Sequence, residues 1–166
     1  MKYHLGLGNN LGDRIENLAR ARARLVKRGI AIRALSALYE TEPVGFSAQP
    51  WFINQAVEVE TELSPRELLM LVKEIEKDMG REATVPDGPR VIDIDILLAE
   101  DTVIVTGELT VPHPRLAERN FVLVPLAEIA PKTVHPGLKR TIRELCSRSK
   151  DRAKIKLYAP ARRGDS

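Results

Sequence analysis

The sequence predicts an α+β fold in which helices pack on a mainly antiparallel sheet. Two kinds of apolar pattern support this: runs with alternating apolar residues, typical of strands, and runs in which they recur every three or four positions, typical of helices. Along roughly the first hundred residues these runs follow in the order β-α-β-β-α-β, the split βαβ order of ferredoxin-like folds. Because the chain has 166 residues, we expect a single domain over residues 1–166.

The first strand is predicted over residues 3–8, and a glycine-rich turn leads from it into a helix over residues 14–27. Gly29 is a natural C-terminal stop for that helix. In the turn, Asn10 or Asp13 is suited to cap the helix. The alternative interpretation of the glycines is a close approach of a ligand to the backbone, although their spacing fits neither a Rossmann fingerprint nor a Walker A loop.

The next two strands are predicted over residues 30–40 and 52–62, and the prolines and glycine of residues 41–50 indicate a loop between them. A second helix then has clear start signals. Ser64 is suited to the N-cap position, and Glu67 completes a capping box with it.

This second helix ends near Gly80, and a loop over residues 81–89 leads to a strand that contains Asp93 and Asp95. The C-terminal part adds shorter elements to the core pattern. They are a hairpin over residues 102–111, helices over 121–129 and 141–148, a strand over 155–158 and a tail from about 159 to 166 that we expect to fray.

The composition favours a small anionic ligand over a nucleic acid or a membrane. The net charge is +3, and aromatic residues, which line single-stranded nucleic-acid platforms, are only 4% of the chain. No apolar run approaches the roughly 18 residues that a membrane span needs. The single cysteine cannot form an internal disulfide, and the chain enters a strand pattern without an apolar signal region, so we expect a cytoplasmic protein.

Two carboxylates, Asp93 and Asp95, stand two residues apart in an aliphatic strand. Because strand side chains alternate between faces, both acids point one way while Ile92 and Ile94 point the other. A cation must neutralise such a pair, and Mg²⁺ suits two carboxylates together with substrate phosphates. We expect the pair in the middle of the strand, with Arg90 ready to hold phosphate oxygens. The alternative is a strand end at which the acids are solvated or paired with Arg90 and a second arginine.

Two further groups of polar residues are candidates for phosphate binding. His113 stands between two prolines that fix the chain, and Arg115 and Arg119 follow it. A polar surface loop is the plainer interpretation of each of these residues alone. Glu76 lies near the end of its helix beside Arg81, where either a surface salt bridge or a contact with a metal-bound water or a ribose would explain the pair.

Four separated segments together resemble the 6-hydroxymethyl-7,8-dihydropterin pyrophosphokinase family of folate biosynthesis. Their sequences are GNNLGD at residues 8–13, TEPVG at 41–45, GPRVIDID at 88–95, and VPHPR with RNF between 111 and 121. The resemblance implies an ATP- and Mg²⁺-dependent diphosphokinase that moves the pyrophosphoryl group of ATP to the pterin hydroxymethyl oxygen and releases AMP. It also implies two Mg²⁺ ions and a monomer whose partners are ATP and the pterin, without nucleic acid or membrane.

The same resemblance implies which residues would handle the nucleotide. Asp93 and Asp95 would bind both metal ions, and the implied catalytic set adds Arg81 and Arg90. The residues implied to bind the nucleotide are Glu76, Arg81, Arg90, Ile96, Thr110, His113 and Arg119, of which Ile96 and Thr110 would line the adenine pocket.

The pterin would bind through a different set of residues. Asn54 has an amide able to satisfy donor and acceptor edges of the ring, and the rings of Phe52 and Phe121 would sandwich it. Backbone groups would read the remaining edge of the pterin, and these belong to Thr41, Pro43, Val44 and Gly45.

Two departures from the family pattern bear on the site. Asn9 stands where the family usually has serine, which affects a contact near the pterin. The loop over residues 82–87 lacks the basic residue and the tryptophan with which well-studied members seal the site, so closure of this loop is expected to be weaker or differently built.

Three other functions use parts of the same pattern. A ferredoxin-like RNA-binding module would need exposed aromatic residues on its central strands, where this chain has paired acids. A metal-dependent phosphodiesterase would use the acids with water as the nucleophile. A non-catalytic pterin- or nucleotide-binding homologue would keep the pocket without turnover.

Overall fold

The computed structural model of the chain describes residues 1–44, 48–80 and 89–161. These residues form a six-stranded sheet and a separate two-stranded hairpin, and no helix among them is both long and apolar enough to cross a membrane. The elements in order are β1 (Lys2–Asn9), α1 (Arg14–Lys27), β2 (Ala31–Leu35), β3 (Leu38–Thr41), β4 (Phe52–Glu60), α2 (Pro65–Asp78), β5 (Asp93–Ala99), β6 (Ile104–Val105), β7 (Thr110–Val111), α3 (Asn120–Ile129), α4 (Ile142–Ser147) and β8 (Ile155–Ala159).

The large sheet has the strand order β5-β1-β4-β3-β8, and β2 also pairs with β4. Every pairing in it is antiparallel. The strand β4 therefore lies between β1 and the β2–β3 segment, as the split βαβ order requires. The predicted α+β, ferredoxin-like architecture is confirmed, including the extra C-terminal helices and strand.

The two long helices begin where the sequence predicts. Asp13 caps α1 by accepting a hydrogen bond from the Glu16 backbone N–H at 3.1 Å. At α2, Ser64 and Glu67 form the reciprocal capping box, each side chain accepting from the other residue's backbone N–H. Because these signals involve residues only three positions apart, they depend little on the rest of the fold.

One predicted strand, over residues 30–40, is divided in the structure. Ser36 interrupts it: its backbone N–H donates to the Ala56 carbonyl, and its hydroxyl oxygen accepts from the Ala56 N–H. A side chain thus takes over one bond of the ladder, and the chain leaves regular strand geometry between β2 and β3. This replacement of a backbone hydrogen bond by a side-chain hydrogen bond depends on Ala56, 20 positions away, so local sequence patterns do not indicate it.

The sheet has a different core on each face. Helices α1 and α2 cover one face, where a large apolar cluster includes Leu5, Leu18 and Leu68. Helices α3 and α4 cover the other face with a smaller cluster that includes Leu97 and Leu126. The smaller cluster leaves one end of its face open, and that end carries the polar residues described below.

Asp93 is the first residue of β5, so the expectation that the acid pair lies in the middle of a strand is wrong. The chain before it is attached to the turn that follows β1. Both Asn10 and Leu11 donate backbone N–H groups to the Arg90 carbonyl, and Arg90 donates its N–H to Oδ1 of Asn10. These bonds hold residues near 90 out of the ladder, which starts only at Asp93.

We expect the free energy of unfolding to fall as the pH is lowered, because burial lowers the pKa of His4, His113 and His135 below the ordinary value of 6.5. Above about pH 6.5 these residues are neutral in the folded and unfolded states. As the pH falls toward the lowered folded-state pKa values, the unfolded chain takes up protons that the folded chain does not, and stability is lost.

The measurement is the melting temperature between about pH 8 and about pH 5. In the His4→Gln variant, whose amide nitrogen can reach the position of the imidazole Nε2 and keep a donor for Glu58, this decline should be shallower than in the parent protein. A melting temperature that rises as the pH is lowered would contradict the prediction.

Candidate active site

A pocket of about 740 Å³, counting its open mouth, lies where β1, β4 and β5 meet the start of α3. Its lining combines acids, arginines, aromatic rings and an amide from distant parts of the chain. The pocket therefore brings together a charged end and an apolar end within one cavity.

Glycines of the central strand form the floor of the pocket. In the antiparallel register, Gly6 lies beside Asp95 and Gly8 lies beside Asp93, while Asn54 lies beside Gly8 on the other side. Residues at these positions share one face of the sheet. A Cβ atom on Gly8 would overlap Oδ1 of Asn54, so a larger residue there would force the Asn54 amide to move. The acids and the amide thus face one cavity across a strand without side chains.

Asp93 and Asp95 are half-buried and line the pocket, whereas Ile92 and Ile94 are buried in the core on the opposite face. The predicted alternation of the acid strand is confirmed. The guanidinium of Arg90 also lines the pocket, with Nη1 3.4 Å from Oδ2 of Asp93. The alternative, a strand end at which an acid pairs with Arg90, is therefore correct for Asp93. Both acids nevertheless line the same pocket.

The Glu76 carboxylate supports the acid pair from behind. Its side chain is almost fully buried, and Oε2 accepts a hydrogen bond from the Ile94 backbone N–H at 2.8 Å. Ile94 stands between the two aspartates on an edge strand, so this bond satisfies a donor that would otherwise face outward. Tertiary packing thus buries Glu76, although Lys77 and Asp78 in the same turn of α2 are exposed. The predicted pairing of Glu76 with Arg81 lies outside the described residues.

Asn54 is held by a buried hydrogen bond. Its Nδ2 donates to the Thr41 hydroxyl at 2.6 Å. Phe52, two positions earlier on the same strand, also lines the pocket, as does Phe121 at the start of α3. One amide oriented by a neighbour and two aromatic rings are what a flat heteroaromatic ligand needs.

The segment between β7 and α3 supplies an imidazole and a guanidinium group. Arg119 occupies the N-cap position and lies with its guanidinium carbon 5.4 Å from the centre of the Phe121 ring. Burial, and next the positive charge of Arg119, lower the pKa of His113, which keeps the ring neutral at physiological pH. Nδ1 of His113 accepts from the Arg115 backbone N–H at 3.2 Å, so the ring proton lies on Nε2 and is available to donate.

The carboxylates of Asp93 and Asp95 fit a magnesium site. Both are hard oxygen donors on one side of the pocket floor, next to arginines that suit phosphates. Among residues 1–44, 48–80 and 89–161 there is no group of three or more His, Cys, Asp and Glu side chains placed to hold a metal. A bound Mg²⁺ would therefore take its remaining ligands from substrate phosphates and water, as it commonly does.

Nine of the sixteen residues implied by the family resemblance line this pocket. They are Thr41, Val44, Phe52, Asn54, Arg90, Asp93, Asp95, Arg119 and Phe121. Their contacts with ligands remain predictions, but their placement in one cavity agrees with those predictions.

The other implied residues lie elsewhere. Ile96 is buried in the core, because it stands one position from Asp95 and so faces the opposite side of the sheet. Pro43 is buried near the pocket, and Thr110 lies in the small hairpin, paired with Val105. Arg81 and Gly45 lie outside the described residues.

The sequence arguments missed the apolar wall of the pocket. Ala56 and Leu97 continue the face of Asn54 and Asp95, and Val122 and Pro125 project from α3. Alternation along β4 and β5 would have indicated the first two. The contribution of α3 had no sequence signal, since it depends on where the helix packs.

Asn9, which replaces the usual serine, has a structural contact. It is fully buried, and its Nδ2 donates to the Arg14 carbonyl at 2.9 Å in the first turn of α1. The loop over residues 82–87, for which altered closure is expected, lies outside the described residues.

A family model described as 7,8-dihydro-6-hydroxymethylpterin-pyrophosphokinase (HPPK) matches residues 4–131. The chain belongs to this family. The resemblance drawn from four short segments is thereby confirmed.

Relatives of known name support membership in the HPPK family. A Bacillus subtilis (strain 168) protein named 2-amino-4-hydroxy-6-hydroxymethyldihydropteridine pyrophosphokinase is 48% identical over 127 residues, which are 76% of each chain. The folic acid synthesis protein FOL1 of Dictyostelium discoideum is 45% identical over 138 residues, 83% of this chain and 21% of that protein. This chain thus spans about a fifth of the length of that relative.

A crystal structure of Plasmodium falciparum HPPK-DHPS wild type has a similar fold. Its TM-score is 0.70 at 18% sequence identity, and the match covers 88% of this chain and 44% of that chain. At this identity the likeness concerns the fold alone, and it agrees with the α+β architecture.

We expect Gly8→Ala to destabilise the protein by about 1–3 kcal/mol, because the added Cβ must displace the Asn54 amide from its bond to Thr41. The matched control is Gly107→Ala, where a Cβ would meet no atom within 4 Å and the expected change is within about 0.5 kcal/mol. Urea unfolding measures both values. Equal changes in the two variants would show that the pocket floor does not require glycine at position 8.

Proposed function

We propose that this chain transfers the pyrophosphoryl group of ATP to the hydroxymethyl group of 6-hydroxymethyl-7,8-dihydropterin, giving AMP and the pterin diphosphate in folate biosynthesis. One observation carries the proposal: the pocket places two half-buried acids and a buried, oriented amide on opposite sides of a glycine floor. Membership in the HPPK family supports the same reaction.

The charged end of the pocket would receive the nucleotide triphosphate. Asp93 and Asp95 would hold two Mg²⁺ ions, which when bound neutralise the charge of the phosphates and polarise them toward attack. Arg90 and Arg119 would bind phosphate oxygens, since their guanidinium groups already line this end. Arg81 completes the proposed set of phosphate ligands.

His113 would donate a hydrogen bond from Nε2 to the nucleotide, because its lowered pKa and its bond from Arg115 leave that proton in place. Glu76 would act mainly through the strand that carries the acids, given its bond to Ile94. Ile96 and Thr110 would contact adenine, and like Glu76 and His113 they are not among the residues that line the pocket.

The other end of the pocket would hold the pterin. The Asn54 amide offers an acceptor and a donor to the ring edge, and the rings of Phe52 and Phe121 would cover its two faces. The segment from Thr41 to Gly45 would contribute backbone groups, through Pro43 and Val44 as well. This arrangement would direct the hydroxymethyl group toward the acids. Its oxygen would be the nucleophile, so the reaction needs none from the protein.

The same proposal includes a monomer that works in the cytoplasm with ATP and the pterin as its only partners. The single cysteine supports this location, because a reducing compartment suits a chain that cannot form an internal disulfide.

The test of this function is incubation of the protein with ATP, Mg²⁺ and the reduced hydroxymethyl pterin, followed by chromatography of the nucleotides and pterins. We expect AMP and pterin diphosphate in equal amounts. Formation of ADP would indicate transfer of one phosphoryl group. Products of hydrolysis without a pterin adduct would indicate a phosphodiesterase, and binding of both ligands without any product would indicate a non-catalytic homologue.

We expect Asp95→Asn to lower kcat by about a hundredfold or more, because it removes a charged oxygen donor from the metal site. The fold should persist, since the substitution also relieves repulsion between two neighbouring carboxylates. The control is Asp101→Asn, at an exposed turn, which should leave kcat unchanged. Turnover of Asp95→Asn close to that of the control would remove the metal assignment.

A further inference from the structure

The first turn of α3 needs a capping group that its own sequence does not provide. A helix begins with backbone N–H groups that have no partner within the helix. Arg119 occupies the N-cap position, but its side chain makes no capping hydrogen bond. The same residue and Phe121 line the pocket, so any fraying of this turn would move two groups of the proposed site.

Asp151 provides the missing acceptor from 31 residues further along the chain. Its Oδ2 accepts from the Asn120 backbone N–H at 2.8 Å, and its backbone carbonyl accepts from Nδ2 of Asn120 at 3.1 Å. Its other carboxylate oxygen, Oδ1, accepts from the Ala153 N–H at 2.9 Å. Both oxygens are therefore engaged by backbone donors, and the carboxylate is fixed in place.

The segment that carries Asp151 also holds the opposite wall of the pocket. The Lys154 carbonyl accepts from the Glu42 backbone N–H at 2.9 Å, and Ile155 is the register partner of Thr41. Thr41 and Glu42 line the pocket. A stretch of five residues, 151–155, thus connects the start of α3 with the end of β3. It lies beyond residues 4–131, which the family model matches.

We propose that Asp151 is a positioning residue of the active site. By capping α3 from the C-terminal segment, it sets the distance between Arg119 and Phe121 on one wall and Thr41 on the other. The proposal rests on the proposed function for the identity of the two ligands. The physical basis is a charge-assisted hydrogen bond. A carboxylate from the C-terminal segment, which is not part of the pocket floor, caps the helix that forms one wall of the pocket.

The test compares Asp151→Ala with Asp151→Asn and with a control cap in another helix. Asp151→Ala removes the acceptor, whereas Asp151→Asn keeps one oxygen for the Asn120 N–H. The control is Thr141→Ala, which removes the cap of α4, where Thr141 Oγ1 accepts from the Glu144 N–H at 3.1 Å. Thr141 does not line the pocket, so its loss reports only on general stability.

Four properties are measured: the dissociation constants for a non-hydrolysable ATP analogue with Mg²⁺ and for the pterin, KM and kcat, the melting temperature, and amide hydrogen exchange in residues 120–123. For Asp151→Ala we expect both dissociation constants to rise about tenfold and exchange in the first turn of α3 to accelerate. Asp151→Asn keeps an acceptor for the Asn120 N–H but loses the charge and turns its amide nitrogen toward the Ala153 N–H, so the rise should be smaller than that of Asp151→Ala but measurable. Thr141→Ala should lower the melting temperature without changing either dissociation constant.

A second variant keeps the test decisive if Asp151→Ala does not fold. Asn120→Pro removes both bonds to Asp151, yet proline is well tolerated at the first helical position, and the extended backbone of Arg119 suits a residue before proline. We expect the same rise in the dissociation constants from this variant.

Two outcomes would overturn the proposal. One is unchanged ligand affinity and unchanged exchange in α3 when Asp151 is replaced by alanine. The other is an equal loss of affinity in Thr141→Ala, which would indicate a general effect of stability. Failure of the proposed function would look different: the parent protein would form no AMP, while hydrogen exchange would still report whether Asp151 holds the start of α3.

Discussion

Repulsion between the carboxylates of Asp93 and Asp95 is the constraint around which the site is built. The two side chains share one face at the start of β5 and are half-buried, so their charges are only partly solvated. Such an arrangement needs positive charge nearby. Arg90 supplies positive charge, with Nη1 3.4 Å from Oδ2 of Asp93. A divalent cation is suited to neutralise the pair of acids further.

Several features of the structure keep this charged strand in place. The turn after β1 forms hydrogen bonds with the backbone of Arg90 through Asn10. The Glu76 carboxylate of α2 accepts a hydrogen bond from the backbone N–H of Ile94. Two glycines on β1 leave the space beside the acids open. Each of these hydrogen bonds restrains backbone atoms of the strand that carries the acids or of Arg90 before it.

The distribution of apolar residues explains why the pocket is on this face. The face under α1 and α2 is filled by a continuous apolar core, whereas α3 and α4 cover only part of the other. The part of this face that α3 and α4 do not cover includes Gly6 and Gly8 of β1, which line the pocket. The segment from Asp151 to Ile155 closes it by joining the start of α3 to β3, so the C-terminal strand contributes to the pocket as well as to the sheet.

Local patterns were sufficient for much of the fold and for the chemistry of the site. The capping box of Ser64 and Glu67, the cap at Asp13 and the alternation that separates Asp93 from Ile94 all depend on residues within three positions of each other. Steric and hydrogen-bonding rules act directly at that range. The sequence also predicts the ligand class, because paired acids beside arginines favour metal and phosphate whatever the fold.

The tertiary structure alone decided where strands break and which residues share the cavity. The division at Ser36 depends on Ala56, the start of β5 depends on Asn10, and the burial of Glu76 depends on Ile94. The placement of Ile96 in the core and of Val122 in the pocket follows from which face each element presents to its neighbours. These outcomes rest on contacts between residues far apart in the chain, and such contacts leave no periodic signal in a single sequence.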